Sequence, residues 1–142
     1  MLDRVRKAVP ADYVPSDDEE YMGVRQQEYF RMLLLEWKAS IRDAARQTRQ
    51  SLQDGPIREP DMNDRASSEA DWSIELRTRD RQRKLIAKID SALRLLDDGD
   101  YGFCEVTGDP IGLKRLIARP VATMTVEAQE AHERREKVSR DD

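Results

Sequence analysis

The sequence predicts a mainly α-helical protein, a long antiparallel coiled-coil hairpin on a small globular base. Two helical patterns, each more than thirty residues long and carrying an apolar stripe, are separated by one short Gly-Pro turn. Charged residues make up 38% of the chain and aromatic residues only 6%, a balance that suits long solvated helices better than a closely packed globule. With 142 residues, the chain amounts to one domain with a protrusion.

The elements follow in order. Residues 1–20 begin basic (Arg4, Arg6, Lys7), contain Pro10 and Pro15 and end in Ser16-Asp17-Asp18-Glu19-Glu20. Ser16 suits a helix N-cap and Glu19 completes a capping box. These residues are expected to contribute a segment of the base. From about Tyr21 to Asp54, the residues Phe30, Leu34, Trp37, Ile41, Ala44 or Ala45, Thr48 and Leu52 recur at intervals of three and four, one stripe facing a partner helix. The stripe thins towards its end, so the distal part is expected to be slim. Gly55-Pro56 stops the helix.

A second helix is expected from about Asp64 to Asp98, with Ala66, Ala70, Ile74, Leu85, Ile89, Ala92, Leu93 and Leu96 on its apolar face. Its middle, Arg77-Thr78-Arg79-Asp80-Arg81-Gln82-Arg83-Lys84, is strongly basic. A short connection pairs the two helices as an antiparallel hairpin over residues 21–98, with its tip at 55–66. About 34 residues at about 1.5 Å each make a rod of roughly 50 Å. Asp97-Asp98-Gly99-Asp100-Tyr101-Gly102-Phe103 ends the second helix and opens a turn-rich segment to about Met124. A last helix runs from about Thr125, its N-cap, to Lys137, and residues 138–142 are expected to fray.

Composition excludes several classes. A net charge of −4 lacks the basic balance that general DNA binding needs. No apolar run approaches the roughly 18 residues of a membrane span, and the first residues lack the apolar core of a signal peptide. A soluble cytoplasmic protein is expected. The single cysteine, Cys104, excludes an internal disulfide and any multi-cysteine metal site.

The tip carries Asp61-Met62-Asn63-Asp64-Arg65-Ala66. Taken alone, Asp61 and Asp64 read as helix caps at the positive end of the helix dipole. The same pattern, D-x-x-D-x-A, is followed by Glu75-Leu76-Arg77-Thr78-Arg79-Asp80-Arg81 and Arg83-Lys84-Leu85-Ile86. After the hairpin come Gly99-Asp100-Tyr101-Gly102-Phe103-Cys104-Glu105, Gly108, Ile111-Gly112, Arg115-Leu116 and Ala118-Arg119-Pro120. This ordered set, from about Tyr21 to Lys137, resembles the DksA family of bacterial transcription factors.

The resemblance implies a non-enzymatic protein that binds RNA polymerase rather than DNA. Its hairpin would enter the secondary channel, and Asp61, Asp64 and Ala66 would act near the catalytic centre to change promoter-complex lifetime. With guanosine tetraphosphate (ppGpp), the alarmone of the stringent response, such a factor represses ribosomal RNA promoters and activates some amino-acid biosynthesis promoters. The alarmone site shared with polymerase would include Arg81, Lys84, Leu85, Lys88, Arg115 and Arg119. On residues alone, this basic stretch also reads as a solvated face. Gln129 stands where the family usually has lysine, and Thr78 where it has asparagine.

Many family members hold zinc through C-x2-C-x17-C-x2-C, a strong zinc-ribbon spacing. Here the four positions read Cys104, Thr107, Thr125 and Ala128. No structural zinc and no intrinsic cofactor are expected. The knuckle would be held by Tyr101, Phe103, Ile111, Leu113, Leu116, Ile117, Val121, Met124 and Val126. Cys104 reads as a small buried hydrophobe, with a redox-sensing thiol as the sharper alternative, and His132 as a surface residue. A monomer is expected. Three rivals remain open: a Gre-like transcript-cleavage factor, a phosphate-handling enzyme using Asp61 and Asp64, and a purely structural coiled coil.

Overall fold

The structure is a computed structural model. It describes residue 10, residues 12–54 and residues 62–141, with side chains described for all of these except residues 48, 51–54, 62–68, 140 and 141. The expectations for Arg4, Arg6, Lys7, Gly55, Pro56 and Asp61 lie outside the described residues. Four helices are present among the described residues: α1 (Val24–Asp54), α2 (Met62–Asp98), α3 (Leu113–Ala118) and α4 (Val126–Asp141).

The start of α1 departs from expectation. Ser16 and Glu19 do form reciprocal hydrogen bonds. The Asp18 N–H donates to Ser16 Oγ at 3.1 Å, and the Ser16 N–H donates to Glu19 Oε1 at 3.1 Å. They close a local turn, however, and not the long helix. Met22 explains the delay, because its φ of 56° is incompatible with a right-handed helix. Two glutamines of the first helical turn hold it there. The Met22 N–H donates to Gln26 Oε1 at 2.8 Å, and Gln27 Nε2 donates to the Met22 carbonyl at 2.6 Å. Gln26 is only 1% exposed, and its Nε2 donates to the Ser16 carbonyl. A buried amide with both ends paired costs little, whereas an unpaired one costs about 1–3 kcal/mol.

Two compact units divide the chain, one made of Met1–Leu35 with Ser91–Asp142 and one made of Glu36–Asp90. Both long helices pass through both. Within the first unit Arg31 pairs with Asp97 at 2.7 Å; within the second Lys38 pairs with Asp90. Within each unit, then, an ion pair joins α1 to α2.

In the Met1–Leu35 and Ser91–Asp142 unit, Phe30, Leu34, Ala92, Leu96, Tyr101, Ile111, Leu113, Leu116 and Val121 are buried. Phe30 meets Tyr29 edge-on at 5.3 Å and Tyr101 at 5.5 Å between ring centroids. The Tyr101 hydroxyl donates to the Pro120 carbonyl at 2.7 Å, so the polar tip of this buried ring is satisfied. Three residues expected in this core, Phe103, Ile117 and Val126, are instead exposed, and Met124 is half-buried. Ile117 lies in α3, a six-residue helix that was not expected; so short a helix can bury only one side, and Leu113 and Leu116 take it.

In the Glu36–Asp90 unit, Ile41 and Ile89 are buried, while Trp37, Ala45 and Leu85 are half-buried. Ile74, expected on the apolar face, is 55% exposed, and Ala70 is exposed.

The C-terminus of α2 falls at Asp98, as expected. Gly99, at φ 80°, takes the left-handed position. The Asp100 N–H reaches the Leu95 carbonyl and the Gly99 N–H the Leu96 carbonyl, a Schellman closure. Gly102 is required for a second reason. A Cβ there would lie 2.8 Å from Met22 Cγ, and its carbonyl accepts from the Tyr21 hydroxyl at 2.6 Å. The same Tyr21 oxygen accepts the Gly112 N–H at 3.0 Å. The last helix begins after Thr125, as expected, and extends to Asp141, beyond the expected end at Lys137.

Candidate functional site

Three groups of candidate residues each lie within one unit, and the remaining candidates belong to the base. At the tip, Asp64 and Ala66 occupy the third and fifth positions of α2. Their side chains and all of Asp61 lie outside the described residues. The free N–H groups of a helix start and the positive end of its dipole favour carboxylates in this turn.

The second group is the basic stretch of α2. Arg77, Arg81, Lys84 and Lys88 follow at spacings of four, three and four, and all four are exposed. At about 100° per residue they fall within roughly 60° of one another on the helix surface. Leu85 beside them is half-buried. Arg81 and Lys88 form no ion pair among the described residues. Lys84 does: its Nζ lies 3.1 Å from Asp80 Oδ2, while Arg83 donates to Asp80 Oδ1 at 2.8 Å. Hydrogen bonds from Arg83 and Lys84 hold the Asp80 carboxyl below the usual carboxylate range. Thr78 turns its hydroxyl inward along the helix to the Ile74 carbonyl at 3.0 Å.

The other expected phosphate-binding residues belong to the base. Arg115 Nε donates to the Met124 carbonyl at 2.9 Å and so ties α3 to the chain before α4. Arg119 is exposed and closes α3 through its backbone N–H. Gln129 Nε2 donates to Glu133 at 3.0 Å. His132 is exposed and lies 3.1 Å from Glu136.

The third group is the knuckle, where the four positions converge but their chemistry does not suit zinc. The Thr125 hydroxyl lies 4.0 Å from Cys104 Sγ and accepts the Ala128 N–H at 3.2 Å, capping α4. Thr107 Oγ1 accepts the Asp109 N–H at 3.2 Å. Ala128 contributes a buried methyl. One thiolate, two hydroxyls already used in turns and caps, and a methyl do not make the tetrahedral nitrogen and sulfur donor set of a structural zinc site. Among the described residues, no cluster of His, Cys, Asp or Glu could hold a metal ion.

Cys104 is 4% exposed, as expected. Shelter from water pushes the thiol up. The Thr107 hydroxyl and the backbone N–H groups of Thr125, Thr107 and Val106 outweigh this and bring it from 9.0 down to about 6. Sequence reasoning missed this shell and also missed Asp80. The second was findable, since an acid three and four residues before Arg83 and Lys84 is the favoured helical ion-pair order. The N–H groups around Cys104 leave no trace in residue identity.

These features define a class: a helical-hairpin protein whose base carries a zinc-finger-like knuckle with one cysteine at its four ligand positions. Family comparison agrees. Residues 26–96 match the model of the DnaK suppressor protein DksA N-terminal domain. Residues 99–134 match the prokaryotic dksA/traR C4-type zinc finger. The chain is 61% identical over 132 residues to the RNA polymerase-binding transcription factor DksA of Caulobacter vibrioides, covering 93% of each. It is 42% identical over 125 residues to the factor of that name from Escherichia coli K12, covering 88% of this chain and 83% of that one. Its fold matches the transcription factor DksA2 of Pseudomonas aeruginosa with a TM-score of 0.75 at 38% identity, over 96% of this chain and 98% of that one. The chain belongs to the DksA family.

Proposed function

We propose that this chain is an RNA polymerase-binding transcription factor that reaches the enzyme through its secondary channel and alters promoter-complex lifetime together with guanosine tetraphosphate. The observation that carries the reading is full-length similarity. The Caulobacter vibrioides factor is 61% identical over 93% of both chains, and the pattern Asp61-x-x-Asp64-x-Ala66 stands intact where α2 begins. In this reading the tip acts by electrostatics. Carboxylates delivered beside a Mg²⁺-dependent centre contact its basic residues or perturb the metal's oxygen shell, and a small residue at position 66 permits close approach. Arg81, Lys84 and Lys88 supply charge-assisted donors for phosphates, and Leu85 an apolar contact. Arg115 and Arg119 are assigned to the alarmone by resemblance alone. The chain acts in the cytoplasm, needs no zinc for its knuckle and catalyses no reaction of its own.

The test is transcription in vitro from a ribosomal RNA promoter. Wild-type protein is expected to inhibit, and to inhibit more strongly with guanosine tetraphosphate. Asp64→Asn is expected to bind polymerase with nearly unchanged affinity yet fail to shorten promoter-complex lifetime. Parallel loss of binding and inhibition would overturn the assignment of effect to the tip. Inhibition that ignores the nucleotide would remove Arg81 and Lys88 from the reading while leaving the channel.

A further inference from the structure

The stripe formed by Arg77, Arg81, Lys84 and Lys88 spans about 16 Å along α2, enough for separate side chains to reach separate phosphate groups. Its cations are not equivalent. Arg77, Arg81 and Lys88 stand without an ion pair among the described residues, whereas Lys84 is drawn to Asp80 at 3.1 Å. Asp80 flanks the stripe near the middle of its length and also takes Arg83 at 2.8 Å. One carboxylate therefore occupies two of the nearest cations and places a negative charge beside any phosphate that lies there.

We infer that Asp80 is a positioning residue that restrains phosphate binding on this face: it holds Lys84 and Arg83 to itself and sets the affinity for a polyphosphate ligand below what the cations alone would give. This rests on the reading that guanosine tetraphosphate lies against Arg81 and Lys88. To engage fully, the ligand must draw Lys84 off Asp80. Because the pairs are solvent-exposed, each is weak and exchangeable. Asp80 therefore tunes affinity and does not block the site. The carboxylate stays ionised throughout the neutral range, since Arg83 and Lys84 hold its proton affinity down, so the restraint does not switch with physiological pH.

The test titrates labelled guanosine tetraphosphate into the complex of the full chain with RNA polymerase, with polymerase alone as the blank. Polymerase affinity of each variant is read separately without nucleotide. Asp80→Asn is expected to tighten the chain-dependent binding by about two- to fivefold, the range that exposed ion pairs allow. It should also steepen the salt dependence, because Lys84 is released to the ligand. Asp80→Glu keeps the carboxylate and is expected to restore wild-type affinity. Asp71→Asn makes the same charge change on an exposed residue about 13 Å or more along the same helix, and is expected to have no effect. Unchanged or weaker binding by Asp80→Asn would overturn the restraint, as would an equal gain from Asp71→Asn. If instead the chain adds no nucleotide binding to polymerase, or Arg81→Ala and Lys88→Ala leave that binding intact, the site itself is wrong and the restraint falls with it. Loss of binding in those two variants with a flat response to Asp80→Asn would overturn the restraint alone.

Discussion

Cys104 is the one cysteine among the four knuckle positions, and the backbone N–H groups of Thr125, Thr107 and Val106 lie around its sulfur. Thr107, in place of a second ligand, donates its hydroxyl to the same sulfur. The native thiol titrates near 6 and the ordinary thiol near 9.0. Between those values the native state carries a thiolate and the unfolded chain a thiol, so the native state binds fewer protons and rising pH favours it. The contribution is complete above about pH 9 and disappears as pH falls through about 6. The difference in Tm between wild type and Cys104→Ala is therefore expected to be largest at pH 8–9 and to shrink towards pH 5. A difference that is flat across this range would show that the sulfur is a neutral filler.

At the scale of elements, each of the three knuckle positions without a cysteine has a local structural role. Thr125 caps α4, Thr107 closes a turn through Asp109, and Ala128 is buried apolar surface. Around them, Tyr101, Ile111, Leu113, Leu116 and Val121 bury their side chains, and Tyr21 bridges Gly102 and Gly112 with a single hydroxyl. These contacts tie the knuckle to the turn before α1 and to α3. Protein purified without added metal is expected to contain well under one equivalent of zinc, and a chelator such as EDTA is expected to leave its thermal transition unmoved. A stoichiometric metal, or a large fall in Tm on chelation, would overturn the metal-free knuckle. Much of this was legible in residues. The helix end at Asp98, the Thr125 cap and the missing thiolates follow from glycine, threonine and cysteine positions. The late start of α1 was not legible, because the positive φ of Met22 depends on Gln26 and Gln27 folding back onto it. Neither glutamine carries that signal in sequence. The short α3 was missed because Leu113–Ala118 lies between Gly112 and Pro120 and is too brief to show a period.

At the scale of the whole molecule, the two units are built to different standards. The unit containing both ends of the described chain buries Phe30, Leu34, Leu96 and Leu116 together with Tyr101, whereas in Glu36–Asp90 the buried apolar side chains among the described residues are Ile41 and Ile89. The sequence already showed this gradient, since alanine and small polar residues replace bulky ones along the stripe of α1. It overstated the distal apolar face of α2, where Ile74 is 55% exposed. Periodicity reports which side chains share a face but not whether anything covers it. Opening free energy tracks buried apolar contact more than helix continuity, so α2 is not expected to behave as one rod. In native-state hydrogen exchange, amides of residues 69–85 are expected to exchange through local openings, faster than those of residues 92–98 by an order of magnitude or more. The latter are expected to approach the protection of global unfolding. Uniform protection along α2 would mean that the distal hairpin is cooperative with the base. The graded outcome would follow the buried apolar contact, which is denser in the Met1–Leu35 and Ser91–Asp142 unit than in Glu36–Asp90.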